Sequence, residues 1–516
     1  LQQSQSKQQV GGILGFIERI GNKIPDITIL FISAFILVCV VSAGLAQIHF
    51  NYVHPATGRP IEITNMLSGK ALVDLMSKMV TNYANFPPLS MVIVATLGIG
   101  IADGSGYINT GLKKILSITP KVLITPVVIL VGMLSHLGPD SGYVIIIPIA
   151  AYMFYAVGKH PLAGIAASFA GIAGAFAANY TPSAIDPVIQ GFTQSAAQII
   201  DPGYQVNVLC NYFYAFASTF IVIGACWWVT EKITNPWLWK ACPLDDDLDL
   251  GNENNSSITP SENRAFKIAT AVLLLMLTGL AAALYPADSI LRAPDGVIAS
   301  FKAPIMQSIV SLIFIFAALV GLVYGIACGK FKSPKDVTAA MEEITKTLVQ
   351  LIVFYFFAAQ FLYAFGASNM GALIAVSGAE FLKSLNLPPQ VTVFGIIVFV
   401  ALLNLIITSA SAKWAILAPI FVPMLMAVGI APELTQVAFR VSDSAVNVVT
   451  PMFAFYPLII LYCQKYVKNA GIGTLSSMML PYTIALLVSL TFMLYLFWWL
   501  DIPLGFQADY VYPRRF

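Results

Sequence analysis

Apolar runs of bilayer length recur along the chain, near residues 27–48, 86–102, 206–230, 265–285, 304–328, 347–366 and 474–500. A helix of roughly 20 such residues crosses a hydrocarbon layer about 30 Å thick. Four further apolar regions are interrupted. Residues 122–157 read as two arms, VLITPVVILVGML and YVIIIPIAAYMFYAV, joined by a polar tip from Ser135 to Gly142 that carries His136 and Asp140. Residues 388–428 repeat that form, with the tip Thr408-Ser409-Ala410-Ser411-Ala412-Lys413 between two apolar arms. After each comes an apolar stretch broken by Pro and polar groups, at 174–191 and 439–453. Non-helical backbone at membrane depth persists only where protein or a wet cavity satisfies the freed N–H and C=O groups. The pattern therefore predicts two re-entrant hairpins, each followed by a broken helix.

The two hairpin-and-break units resemble one another. Pro148 and Pro419, Gly158 and Gly429, Pro161 and Pro432, and Tyr143 and Trp414 share one offset of 271 residues, and Thr181-Pro182 matches Thr450-Pro451 at 269. Five crossings separate the units. That odd number inverts them, so the first hairpin enters from the cytosol and the second from outside. Inverted repeats whose discontinuous helices meet near the midplane are a secondary-transporter architecture.

Composition narrows the class. Of the 516 residues 58% are hydrophobic and 10% charged, which excludes a water-soluble enzyme. The net charge of +2 gives no reason to expect nucleic acid as a partner. The six cysteines show no CxxC spacing and mostly lie in apolar runs, so neither a disulfide framework nor a zinc site is expected. With nine crossings and two re-entrant segments, 17 of the 27 Lys and Arg residues fall on one side and eight on the other, leaving Lys413 and Arg440 within the membrane. The richer side is cytosolic by the positive-inside rule. The resulting fold class is an all-α integral membrane protein with nine transmembrane helices plus two re-entrant helical hairpins in inverted repeats.

Along the chain this gives a cytosolic N-terminal segment (1–26), scaffold helices (27–121), the first hairpin and broken helix (122–200), and a connecting helix (201–240). An acidic cytosolic linker (241–264), scaffold helices (265–387), the second hairpin and broken helix (388–468), and a final helix with an external C-terminus (469–516) follow. The polar start carries no small-residue cleavage signature and reads as a cytosolic lead-in.

Four charges at membrane depth need an explanation: Asp186, Lys413, Arg440 and Asp443. Exposed to lipid they would together cost roughly 10 kcal/mol, at about 2.5–3.5 kcal/mol each. Arg440 and Asp443 stand at i and i+3 and are expected to pair, either as a structural ion pair or with Arg440 presenting its fork to a solute carboxylate while Asp443 faces a cation. Asp186 has no basic residue in its own segment. It is read either as a helix cap or, beside the carbonyls freed by Pro182 and Pro187, as a site for a hard cation or a proton, the proton being favoured. Lys413 either binds an anion or extends along its hairpin to water, and Trp414 either packs or stacks on an aromatic solute. Asn179, Thr181, Ser183, Asn404, Asn447 and Thr450 supply neutral oxygens suited to sodium or to interhelical hydrogen bonds. No HExxH or GxSxG is present, nor a convincing acidic dyad for an intramembrane protease, and a Gly-rich GIGIADGSGY lacks the context of a phosphate loop. An enzyme is not expected.

At these residues the chain resembles the AbgT family of p-aminobenzoyl-glutamate transporters and antimetabolite exporters. The resemblance rests on GNKIPD, SHLGPDSGYVIIIPIAAYMFYAVGKHPLAG, NYTPSAIDPVIQG, FFAAQF, SASAKWAILAPIFVPMLMAVGIAPE, FRVSDSAVNVVTPM and GTLSSMMLPY, and runs nearly end to end. It implies a homodimer in the bacterial inner membrane with a cytosol-facing basin. Family substrate positions correspond to Asp186, Ser411, Trp414, Pro432, Arg440, Asp443 and Pro451, and sodium positions to Asn404 and Asp443. Lys413 stands where some members carry an uncharged residue. The acid at Asp186 leans toward the exporter type.

The expectation is thus a secondary transporter of aromatic carboxylates or sulfonamide-type antimetabolites, driven by sodium or protons without another cofactor. Substrate contacts are assigned to Asp186, Ser411, Lys413, Trp414, Pro432, Arg440, Asp443 and Pro451, and ion coupling to Asn179, Asp186, Asn404, Asp443 and Asn447. A sodium-coupled dicarboxylate carrier of related fold is the alternative, with a polytopic membrane enzyme behind it.

Overall fold

A computed structural model describes residues 26–53, 58–135, 141–245 and 258–513. His136 and Asp140 of the first tip, nearly all of the N-terminal segment and the middle of the acidic linker lie outside them.

Helices follow the apolar runs. Those of the first half are α1 (Ile27–Leu45), α2 (Gly69–Ala84), α3 (Pro87–Ser105), α4 (Tyr107–Ser117), α5 (Ile124–Leu134), α6 (Ser141–Ala156), α7 (Pro161–Ala173), α8 (Ile185–Ala197) and α9 (Tyr212–Val229). The second half adds α10 (Pro260–Leu284), α11 (Ile309–Cys328), α12 (Pro334–Lys346), α13 (Val349–Ala367), α14 (Met370–Ser384), α15 (Pro389–Asn404), α16 (Ala410–Met426), α17 (Pro432–Val446), α18 (Tyr456–Gln464) and α19 (Ile472–Trp499). Proline in the first turn, where its missing N–H costs no helical bond, starts α3, α7, α10, α12, α15, α17 and α18. Among the described residues, seven segments are long and apolar enough to cross a membrane, and each of the seven plain spans read from sequence corresponds to one of them.

The structure adds helices that hydropathy misses. α2 extends the second span backwards, so that Gly69–Ser105 forms one 37-residue candidate span. α4 and α12 are amphipathic, with the polar residues that a length-and-apolarity criterion rejects. The expected linker also ends earlier than its composition indicates: Thr259 and Glu262 form a capping box that starts α10.

The repeat is wider than its sequence match. α4 joins α5 at a bend of 120°, and α14 joins α15 at 116°. Gly158 and Gly429 both take the left-handed conformation, at φ of 78° and 87°, three residues before the paired prolines that open α7 and α17. Pro148 and Pro419 lie inside α6 and α16. Each unit exchanges packing with the other: α16 lies against α8, and α6 against α18. All 13 residues of α7 and all 15 of α17 are buried, which places these helices at the centre. Around them, α3 packs on α11, α1 on α13, and α9 on α19.

Candidate functional site

The two central helices differ in one respect that matters. α7 reads PLAGIAASFAGIA and buries small apolar groups. Its counterpart α17 reads PELTQVAFRVSDSAV and buries Glu433, Gln436, Arg440 and Asp443, with Asn447 one turn further. Steps of three and four put these five side chains on one helical face. A buried stripe of this kind persists only if each group is partnered.

Partners arrive from both repeats. The Tyr204 hydroxyl donates to Glu433 at 2.9 Å. Gln436 accepts from the Thr193 hydroxyl at 2.6 Å and donates to Asn211 at 2.7 Å. Arg440 Nη1 donates to Asp186 Oδ1 at 2.7 Å, and its Nη2 donates to the Phe176 carbonyl at 3.0 Å. The Arg440 Nε–H is buried without a hydrogen-bond partner. Asp186 Oδ2 in turn accepts from the Ser183 N–H at 2.7 Å and its hydroxyl at 3.0 Å.

These contacts overturn two expectations. Arg440 does not pair with Asp443 three residues away; it reaches out of its own helix to Asp186, and Asp443 forms a 2.5 Å ion pair with Lys413 instead. Asp186 is therefore not unpaired. A short i,i+3 separation permits a pair on an isolated helix, but in a packed interior the charges from other elements compete, and here a carboxylate from the first repeat lies closer.

Lys413 neither reaches water nor stands open to an anion. Only 1% exposed, its ammonium sits on the Asp443 carboxylate, the Asn404 side-chain oxygen and the Ile407 carbonyl, the last at 3.1 Å. Asn404 donates to the Asp443 carbonyl and to Asn447, and Asn447 donates to Asp443 at 3.1 Å. Of the groups expected to offer oxygens to sodium, Asn179, Thr181 and Ser183 lie apart, beside Asp186, whereas Asn404, Asp443 and Asn447 come together. A fixed ammonium already serves them, so this donor set does not fit an additional monovalent cation.

Trp414 is fully buried, stacked on Phe439 at 4.5 Å, and donates its indole N–H to Thr193 at 2.9 Å. It packs, and offers no face to a solute. Ser411 and Pro432 are buried and Pro451 is partly exposed. The repeat partner of Trp414, Tyr143, behaves differently: it lines a cavity of about 390 Å³ with Ser135, Phe176, Asn179 and Ser183, facing Thr96 and Thr347 of the scaffold. That volume falls in the range of small-molecule sites, about 300–1,000 Å³. Phe176 stands between this cavity and the charges, with the Arg440 guanidinium 5.3 Å from its ring centre. Asn179 borders both the cavity and the cleft that holds Asp186 and Arg440.

The breaks are satisfied as membrane depth demands. Ala177 donates to the Ser444 hydroxyl and Asn179 N–H to the Ala215 carbonyl, while the Thr450 hydroxyl donates to the Leu405 carbonyl at 2.8 Å. Sequence reasoning missed Thr193, Tyr204, Asn211, Glu433 and Gln436. The three-four spacing of polar residues from Glu433 to Asn447 was the available signal for the last two.

Repeated bent helix pairs, broken helices and opposite charges buried between them are an arrangement that membrane transporters of the secondary type share. A family model of the AbgT transporter family matches residues 12–512, and the chain belongs to that family. It is 33% identical over 511 residues, 99% of this chain and 98% of the relative, to the p-aminobenzoyl-glutamate transport protein of Escherichia coli (strain K12). Two solved structures are similar. The YdaH transporter of Alcanivorax borkumensis is 36% identical with a TM-score of 0.87, covering 93% of this chain and all of that one. MtrF of Neisseria gonorrhoeae, described within a class of antimetabolite efflux pumps, is 39% identical with a TM-score of 0.90, covering 96% of this chain and all of that one.

Proposed function

We propose that this transporter moves aromatic carboxylates of the p-aminobenzoyl-glutamate type, or sulfonamide-type antimetabolites, across the bacterial inner membrane, with Arg440 and Asp186 at the solute site. The observation that carries the reading is the Arg440–Asp186 pair, which joins the two broken helices beside a cavity of small-molecule size. A solute carboxylate would compete with Asp186 for the guanidinium, and the unpartnered Nε–H is one donor ready for it. Asn179, Phe176 and Tyr143 would hold the aromatic part.

Protons are the proposed coupling ion. The ammonium of Lys413 fills the oxygens that sodium would need, and Asp186 released from Arg440 is a carboxylate free to take a proton. Loading and release would then be one exchange: solute displaces Asp186 from Arg440, and Asp186 is protonated. Movement of the hairpin-bearing units against the scaffold of a homodimer is the proposed route between the two sides, with the N-terminus cytosolic and the C-terminus external.

The test is flux of p-aminobenzoyl-glutamate and of a sulfonamide in proteoliposomes, with sodium and proton gradients imposed separately and succinate as competitor. Proton-driven flux that succinate does not inhibit is expected. Sodium-driven flux inhibited by succinate would establish the dicarboxylate alternative.

A further inference from the structure

Away from the central helices, a second cavity of about 650 Å³ opens where α9 meets the two ends of the first hairpin. Three lysines border it, Lys121 before α5, Lys159 after α6 and Lys232 beyond α9, together with Glu231 and two tryptophans, Trp227 and Trp228. The local backbone is unusual: Thr230–Thr234 forms a π-helical turn that links α9 to the helix Asn235–Ala241. Such turns re-aim side chains and recur at functional sites.

Glu231 does not cancel the basic charge. It accepts from Lys159 and from the Thr125 hydroxyl, both at 2.5 Å, and so holds one lysine in place. Lys121 and Lys232 are exposed and form no ion pair among the described residues. The lining therefore keeps a net positive charge.

Its other half is apolar and open. Trp227 is 37% and Trp228 58% exposed, and Val122 at the cavity edge is 78% exposed. Trp237 and Trp239 continue the aromatic run along the same segment, also exposed. Exposed tryptophans mark the level of lipid headgroups, and a basic pocket between helices at that level matches an anionic headgroup. Free phosphate would use the lysines and leave the tryptophans without purpose. The basic bias of the chain assigns this face to the cytosol.

We propose that this cavity binds an anionic phospholipid, with the phosphodiester between Lys121, Lys159 and Lys232 and the first methylenes of an acyl chain along Trp227 and Trp228. Glu231 is a positioning residue that orients Lys159. The site is separate from the solute cavity and independent of what is transported.

The test uses the purified full-length protein in detergent, with bound lipid counted by native mass spectrometry during titration with phosphatidylglycerol or phosphatidylcholine. A preference of about tenfold or more for phosphatidylglycerol is expected, falling toward parity in Lys121→Gln/Lys232→Gln, since each basic residue near a headgroup contributes comparably. Phosphatidylglycerol brominated on its acyl chain should quench tryptophan fluorescence less in Trp227→Phe/Trp228→Phe. Both variants replace exposed side chains, and an unchanged elution volume checks folding. Equal retention of the two lipids by the native chain, preference undiminished in the lysine variant, or displacement of the lipid by inorganic phosphate would each overturn the proposal.

Discussion

Arg440 and Asp186 meet at 2.7 Å although 254 residues separate them, and each belongs to a different repeat. Their side chains are 5% and 12% exposed. The pair is thus a buried bridge between the two broken helices.

Removing one member leaves the other charge buried and alone, at a cost of about 3–5 kcal/mol. Asp186→Asn and Arg440→Gln should each lower the thermal midpoint in detergent. The double variant should recover much of that loss without recovering transport. A double variant no more stable than either single would show that the pair is not coupled.

Lys413 yields a prediction about sodium. Replacing it with methionine leaves Asp443, Asn404 and the Ile407 carbonyl without their ammonium. Sodium chloride, against choline chloride at equal ionic strength, should raise the thermal midpoint of Lys413→Met and leave the native protein unchanged. A sodium shift in the native protein would return the ion to this site.

Close backbone contact sets the position of the first hairpin. A Cβ on Gly171 of α7 would lie 2.5 Å from the Ile129 carbonyl of α5, and one on Gly164 would lie 2.4 Å from the Ala150 carbonyl of α6. Backbone cannot yield as a flexible side chain does. Gly171→Ala and Gly164→Ala should each destabilise by about 1–3 kcal/mol, read as a lower midpoint and reduced yield of folded protein, whereas Gly224→Ala, with open space around it, should not.

His160 caps α7 in the loop after the first hairpin, its Nδ1 accepting from the Leu162 N–H and its Nε2 bonded to the Cys242 carbonyl at 2.8 Å. Burial holds the imidazole below its ordinary 6.5, partly offset by the Cys242 bond. The unfolded chain then binds the proton more readily, so the contribution is fully present above pH 6.5 and is lost as pH falls through the depressed folded value. Thermal midpoints between pH 7.5 and 5 should fall less steeply for His160→Gln than for the native protein.

Much of this arrangement was legible in the sequence because membrane depth imposes strict rules. Bilayer-length runs located the seven plain spans, and interruptions by Pro and polar residues located the breaks before α8 and α18. The charges at depth were also visible as Asp186, Lys413, Arg440 and Asp443. Their pairing was not, because it depends on which side chains the two repeats bring together. Residues three apart on one helix, such as Arg440 and Asp443, attract attention, while the partner of Arg440 comes from α8. Trp414 and Tyr143 show the same limit: repeat equivalence matched them, yet one packs against Phe439 and the other lines the cavity. The amphipathic α2, α4 and α12 escaped because hydropathy recognises length and apolarity alone.

The most direct test of the account is solute flux in sodium-free proteoliposomes under an imposed pH gradient, comparing the native chain with Asp186→Asn at matched protein content. Gradient-dependent flux in the native protein and its loss in the variant are expected. Full gradient-driven flux in Asp186→Asn, or flux that appears only when sodium is added, would contradict it.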